Sequence, residues 1–508
     1  YDSAELATGV FSLGIIHATG YPLYLLLGKL FTGIVPLGSI AYELNLMSAL
    51  FAALAVAVAY RVAFQLTKHA IPSLAAILLF AFSFYFWQSA VVTEVYTLQV
   101  FLTACLVLIA IRWEATRRKF LLYLLALIFG LSLGNHMSGI LVAPGLAYYV
   151  LAVGARQIIR PRTLLWLMVF FLVGLVVYLY LPWRYSSDSA INYVRDYYEV
   201  DLTTPGGILW MVSGQMYKFY MFAYRPDQFP HQVMQYISWL WQSFAGIGVV
   251  VGLVGIARCF RCQRKICGLL GLVFATNVLF FLNYAVVDKD TMFLPSYLIW
   301  AFWIAEGYSA LIGWLFRARL SLLPRGWAYI RVAALGTVVS ISLLALVFNM
   351  PAVDQSNNWD SEVFADRVFA EVEPNAVVFG NWHSAVVLEY FQVVEGRRED
   401  LVILNRSRLN VAWFYDSWAR GVEPERALLD IVRREVEMLG EMGEQRPVYS
   451  IGHDQTLARY FEFQPVGDYY KLQRRARTDD RQGFGYNSPV RCGANRESAT
   501  ALGHNRSG

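Results

Sequence analysis

Ten stretches of this 508-residue chain are apolar enough to be read as membrane spans, and that fixes the class of fold before any other feature is weighed. A helix crossing the hydrocarbon core needs about 20 mostly apolar residues. The runs lie near 42–66, 71–92, 96–112, 120–135, 137–154, 163–183, 236–257, 267–286, 293–315 and 331–350. Only 16% of the residues are charged, against about 25% in a soluble domain. The expected fold is therefore mainly α: a polytopic helical bundle in a lipid bilayer, with about 10–11 spans.

The short loops between the runs sort by charge. Arg61 and Lys68, Arg112 to Lys119, Arg156 to Arg162, Arg258 to Lys265 and Arg317 to Arg331 carry the basic residues and fall on one side. The positive-inside rule makes that side cytoplasmic. The other side then receives the N-terminal residues 1–41, Glu94, Asn135-His136, a long loop at 184–235, Asp288-Lys289-Asp290 and everything after 350. This parity requires that 21–35 does not span. Lys29 near its middle would cost ~2.5–3.5 kcal/mol at the bilayer centre, so an interfacial helix suits it better. The chain begins at Tyr1 without an initiator methionine, and a span ahead of it would put residues 1–41 in a first external loop.

Residues 1–350 are read as the membrane domain. From 351 the pattern changes: VVFGNWH, DLVILN and RPVYSIG read as short strands alternating with helices at 359–373, 383–395 and 424–440. A small external α/β domain over 351–473 is expected, followed by a polar tail at 474–508 too poor in large apolar residues to fold. The spacing of Cys259, Cys262 and Cys267 resembles half a zinc site without a fourth ligand nearby. No glycine-rich nucleotide loop appears in the apolar half, and no nucleic-acid partner is expected.

The chemistry-bearing groups gather on the expected external face. Asp2 and Glu5, spaced i and i+3, share one face of a helical turn. They read either as solvated loop acids or as acid–base groups against an apolar bundle. His17 precedes the Gly20-Tyr21-Pro22 turn and is either a satisfied turn residue or a site imidazole. Glu94 sits between two apolar runs with no Lys or Arg beside it, and an acid at a membrane boundary is functional or paired. Asn135-His136 form a polar break that His136 either caps or uses. Asp288-Lys289-Asp290 is either a self-neutralising loop or a phosphate contact through Lys289.

Three stretches in order, Asp2-Ser3-Ala4-Glu5, then His17-Ala18-Thr19-Gly20-Tyr21-Pro22-Leu23-Tyr24, then Asn45 to Phe51, resemble a family of multi-pass membrane proteins that includes protein O-mannosyltransferases. FWQSAVVTEVYTLQ, GLSLGNHMSG and VVDKDTMFLPSY fit the same family, and GNWHSAVVLEYFQVVEGRREDLVILN does so weakly. Ala4 stands where the family has Gly, and Ala18-Thr19 where it has Pro-Pro. The resemblance implies a GT-C-type glycosyltransferase. The donor would be a polyprenyl- or dolichyl-phosphate sugar, with mannose or another hexose expected, and the acceptor a protein or glycan hydroxyl. It further implies that Asp2 is the base of an inverting displacement and that Glu5 orients the acceptor or Asp2. His17, Tyr21, Glu94, Asn135, His136, Asp288 and Asp290 would line the pocket, with Lys289 and Arg184 as phosphate partners. No cofactor is required by these residues, although the carboxylates permit a divalent cation such as Mg or Mn. The membrane would be a bacterial inner membrane or the endoplasmic reticulum, with the site on the non-cytoplasmic side. Two rivals are a lipid-linked substrate flippase, which needs ionisable residues deep within spans, and a non-catalytic scaffold presenting the C-terminal domain.

Overall fold

The computed structural model describes residues 2–475, apart from 188, 287–288 and 318–325. The expected tail falls almost wholly outside the described residues.

The chain opens with a short helix, α1 (Ser3–Ser12), and then α2 (Pro22–Ile34), which starts on a proline. Pro has no N–H to lose at the first helical position, so it starts a helix without penalty. α2 packs against α1, α3 and α7 instead of crossing alone, and Lys29 reaches back to the carbonyl of Phe11. α3 (Ile40–Thr67) is capped by Ser39, whose hydroxyl accepts from the Tyr42 N–H at 3.3 Å, and ends on Lys68 in the left-handed region. Next come α4 (Ala70–Ala81) and α5 (Phe84–Ala90), then α6 (Tyr96–Thr116), α7 (Lys119–Asn135), α8 (Ala143–Ile158) and α9 (Pro161–Leu175). The expected span at 71–92 is a broken one, because α4 and α5 meet at 68°.

α10 (Tyr180–Tyr185) ends the apolar run that starts with α9, and α11 (Pro205–Val212) lies in the long loop. Beyond it α12 (Phe229–Ser243) and α13 (Ile247–Cys262) meet at 99°. The sequence reads a single span at 236–257 there. The break falls at Ala245 and Gly246, both with positive φ, and a Cβ on Gly246 would meet the Trp241 ring at 2.5 Å. α14 (Arg264–Leu282), α15 (Leu294–Arg317) and α16 (Gly326–Val353) complete the bundle. Among the described residues six helices are long and apolar enough to cross a membrane, or up to eight if each bent pair is one span. That is fewer than the ten read from the sequence, because kinks and short helices divide several apolar runs.

The bundle also holds a buried ion pair. Glu306 lies within α15, fully buried, and pairs with Arg258 of α13 at 2.9 Å, while Gln263 donates to it at 2.9 Å. A buried acid among apolar helices is tolerated when its charge is paired and hydrogen-bonded. The basic loops converge at this end of the bundle: Gln263 bonds the carbonyl of Leu66, and Lys265 lies 3.8 Å from Glu114.

The C-terminal unit runs α17 (Asp360–Glu371), β1 (Val377–Gly380), α18 (Trp382–Val393), β2 (Val402–Asn405), α19 (Arg406–Ala419), α20 (Pro424–Gln445), β3 (Val448–Ser450), β4 (Phe461–Val466) and β5 (Tyr469–Arg474). The strand order is β2-β1-β3-β5-β4. β1 is parallel to both neighbours, with Val377 opposite Val402 and Val448. It is buried on both faces, which is why VVFG reads as an unbroken apolar run. The β4–β5 hairpin turns at Gly467 and was not read as strand, since exposed residues of both strands blur the alternation. α19 was likewise missed.

The sheet unit sits on the bundle end opposite the basic loops. α1 packs along α18, Ala41 donates to the hydroxyl of Tyr390 at 3.4 Å, and the Trp210 indole donates to Tyr415 at 2.8 Å.

Candidate active site

The loop between α1 and α2 is folded around one carboxylate. Leu13 ends α1 in the left-handed region, and the chain then runs extended, with Ile15 exchanging backbone hydrogen bonds with Ile191 and Tyr193 of the long loop at 2.9 Å each. This returns His17 to Glu5. The His17 backbone N–H donates to Glu5 Oε1 at 3.0 Å, and its ring Nδ1 lies 2.9 Å from Oε2. Gly20, at φ +80°, donates its N–H to the His17 carbonyl at 2.8 Å and closes the turn that the Gly-Tyr-Pro sequence announced.

The other ring nitrogen of His17, Nε2, lies 2.7 Å from the Tyr21 hydroxyl and 3.6 Å from Asp2 Oδ2. Asp2 Oδ1 accepts the indole N–H of Trp382 at 3.0 Å, a contact between positions 380 apart in sequence. The Asp2 backbone N–H donates to Glu94 Oε1 at 3.2 Å, and the Glu94 N–H to Ser48 at 3.3 Å. Of the three acids Asp2 is the accessible one: its side chain is 36% exposed, against 0% for that of Glu5, and Glu94 is buried.

Burial alone would raise the Glu5 carboxyl and lower the His17 imidazole, but their mutual attraction reverses both. Glu5 is held below its ordinary range by His17 and Arg408, and His17 is raised to about 9 by Glu5 and Asp2. Burial and the neighbouring Asp2 push Glu94 up to about 8. Asp2 is also raised by burial, with His17 opposing. At neutral pH the cluster therefore holds a protonated His17 paired with ionised Glu5, with Glu94 as the protonated acid, while Asp2 is pushed up by burial and drawn back by His17.

A second layer surrounds this cluster. Tyr21 stacks on His136 with ring centroids 5.6 Å apart, and Tyr96 lies 5.7 Å from the same imidazole. His136 bonds Ser138 at 2.7 Å and is lowered to about 4 by burial and by His17, so it stays neutral. Asn135 is wholly buried and donates to the Val95 carbonyl and to Gln99 at 3.1 Å, fixing the chain that leads into Tyr96. Tyr96 bonds Thr291, whose N–H is capped by Asp290 at 3.0 Å. Asp2, Glu5, His17, Tyr21, Glu94 and His136 thus share one centre, with Asp290 joined to it through Thr291 and Tyr96.

Two residues assigned to phosphate sit outside this cluster. Arg184 donates to the carbonyls of Leu13 and Ser12 at 2.6 and 3.2 Å and so caps the end of α1. Lys289 is buried against Gln232 and donates to the Tyr224 hydroxyl at 3.2 Å; burial lowers it to about 8. Asp288 lies outside the described residues.

Sequence reading missed the contribution of the C-terminal unit: Trp382, Glu389 and Arg408. Trp382 follows β1 and Arg408 follows β2, so both stand at the carboxyl ends of parallel strands, where α/β sheets place functional side chains. The strand-like runs before GNWH and NRSR carried that signal. Among the described residues no group of three or more His, Cys, Asp or Glu side chains is arranged to hold a metal ion.

Residues 2–158 match the family described as the protein O-mannosyl-transferase TMEM260 N-terminal domain. The chain is 32% identical over 189 residues to protein O-mannosyl-transferase TMEM260 of Mus musculus, a match covering 36% of this chain and 26% of that protein. To the tmem260 protein O-mannosyl-transferase of Dictyostelium discoideum it is 22% identical over 464 residues, covering 81% of this chain and 55% of that one. The chain therefore spans between a quarter and about half of these relatives. The resemblance read from the N-terminal motifs is borne out. Among solved structures the fold is similar to ArnT from Cupriavidus metallidurans bound to undecaprenyl phosphate, with a TM-score of 0.52 at 12% identity and 92% of both chains covered. The bundle with its small C-terminal sheet shares the fold of that structure.

Proposed function

We propose that this chain is the transferase portion of a membrane glycosyltransferase that moves a mannosyl or related hexosyl group from a polyprenyl- or dolichyl-phosphate carrier to a hydroxyl of a protein or glycan. The observation that carries the reading is Asp2: an accessible carboxylate held by Trp382 and His17 at one end of a GT-C bundle. Its N-terminal part also matches a protein O-mannosyl-transferase domain.

In this reading Asp2 takes the proton from the acceptor hydroxyl as the oxygen attacks the anomeric carbon and the lipid phosphate leaves from the opposite face. Inversion at that carbon follows from the single displacement. A base must be ionised at working pH and within hydrogen-bond reach of the proton it takes. The protonated His17 beside Asp2 favours the carboxylate form, and Glu5 keeps His17 charged and oriented through Nδ1. Glu94 supports the Asp2 backbone. The neutral His136 and the hydroxyls of Tyr21 and Tyr96 offer hydrogen bonds to a sugar. A divalent cation does not fit the donors as arranged, because Glu5 is occupied by His17 and Glu94 by the Asp2 N–H.

The carrier's tail has a matching surface. An apolar groove of about 430 Å³ runs along Leu26, Val173, Val176, Val177, Leu179, Tyr180 and Trp183. The Tyr180 hydroxyl bonds the carbonyl of Gly14 at 2.7 Å, which brings the groove to the loop that bears His17. The positive-inside rule puts this end of the bundle on the non-cytoplasmic side.

The test is incubation of the full-length protein, purified in detergent, with radiolabelled polyprenyl-phosphate mannose and an acceptor peptide or membrane extract. Label passing to a Ser or Thr hydroxyl or to a glycan is expected. Carrier moved across reconstituted vesicles with no glycosidic bond formed would contradict the reading.

A further inference from the structure

The C-terminal unit brings a buried guanidinium to the Glu5–His17 pair. Arg408, 4% exposed, stands in the first turn of α19, where Asn405 caps its backbone N–H at 3.2 Å. Its Nη1 donates to both oxygens of Glu389 at 2.9 Å. Its Cζ lies 3.4 Å from the centre of the Tyr193 ring and 4.8 Å from that of Trp382. Nη2 points toward Glu5, 3.9 Å from Oε1, and Tyr197 also interacts with the guanidinium. Burying a guanidinium whose donors are only partly paired is costly. An arginine tolerated there supplies charge, since it cannot shed its proton.

We propose that Arg408 is a positioning residue of the transfer reaction: anchored on Glu389 and stacked on Tyr193, its guanidinium faces Glu5 and fixes the charge of the Glu5–His17 pair beside Asp2. This rests on the transferase reading of the same site. The titratable and charged groups facing the pair are Asp2 and Glu94 from the N-terminal part, Glu94 as the acid, and Glu389 and Arg408 from the sheet unit. Tyr21, Tyr193 and Tyr217 face it from the loops. The carboxyl groups gathered here are thus answered by two cations, His17 and Arg408. Without Arg408 the negative charge has His17 alone to offset it, and the carboxylates take up protons at higher pH. The sheet unit is then part of the reaction centre and not an appendage that recruits the acceptor.

The experiment is the pH dependence of sugar transfer by the full-length protein, wild type against Arg408→Gln, Arg408→Lys and Glu389→Gln, with Asp2→Asn as control. Arg408→Gln is expected to move the acidic limb of the profile up by about one unit, the lower end of the effect of an adjacent opposite charge, and to lower kcat more than KM. Arg408→Lys leaves the limb in place, and Glu389→Gln, which removes a negative charge, moves it down. A limb unmoved in Arg408→Gln, or displaced in the same direction by Arg408→Gln and Glu389→Gln, overturns the proposal. If Arg408→Gln does not fold, an unmoved limb in Glu389→Gln overturns it. Full activity in Asp2→Asn would instead strike the transferase reading. The titration of the His17 imidazole followed by ¹⁵N NMR then decides for Arg408 independently: Arg408→Gln must raise it, and an unchanged midpoint refutes the role.

Discussion

At the scale of single residues, one buried pair governs the site. Glu5 receives both the backbone and the ring of His17, so the loop's shape and the imidazole's charge depend on the same carboxylate. This has a consequence for stability. The His17 value in the folded protein, about 9, lies above the ordinary 6.5. Its contribution to stability is therefore complete below about pH 6.5 and is lost as the pH rises through about 9. Thermal unfolding of the full-length protein in detergent should show a melting temperature that falls across this window. A His17→Gln variant, neutral throughout, should start lower and lose the part of that slope due to His17. Equal slopes in both proteins would count against the ion pair. The sequence made Asp2, Glu5 and His17 legible because they are close together and sit against an apolar bundle. Trp382 and Arg408 were not legible as site residues. Their one local signal is the strand-like run ahead of each, and only the fold brings position 382 to position 2.

At the scale of elements, hydropathy located the helices but not their breaks. Runs at 71–92 and 236–257 are continuous in composition, yet Ser83 and the Ala245–Gly246 pair turn the chain by 68° and 99°. An apolar run records burial in lipid or protein and says little about direction. The glycines of α13 and α15 carry a different message. A Cβ on Gly255 would strike the Trp303 carbonyl, and one on Gly307 the Val251 carbonyl, so the two backbones touch there. Small residues of this kind let membrane helices approach closely. Gly255→Val should destabilise the bundle by at least ~1–3 kcal/mol, the usual cost of overpacking. Gly271→Val, at a position where a Cβ meets nothing within 4 Å, should be tolerated. Comparison of their melting temperatures checks this, and parity between the two would show that the α13–α15 seam is looser than described.

At the scale of the whole molecule, the chain sorts its chemistry by end. Basic loops gather at one end of the bundle, with the Glu306–Arg258 pair beside them. The acids, imidazoles and sheet unit gather at the other. That division was readable from loop charge alone, because alternate loops of a spanning chain must lie on alternate sides. The α/β character of residues 351–473 was partly readable: the three strands that pair in parallel were found as strands, and the β4–β5 hairpin was not, its faces being half exposed. Their purpose was not readable, since a sheet unit on a membrane protein looks the same whether it recruits an acceptor or completes a site. The Trp382–Asp2 hydrogen bond ties it to the site.

Asp2 is the point on which all three scales meet, and its replacement is the most direct test of the account. A general base contributes ~10²–10⁴-fold to a rate. Transfer from labelled polyprenyl-phosphate mannose by full-length Asp2→Asn should therefore fall at least about 10²-fold, in a protein that still inserts into membranes and melts like the wild type. Wild-type turnover in that variant would contradict the assignment of Asp2 as the base and, with it, the reading of this cluster as the site of sugar transfer.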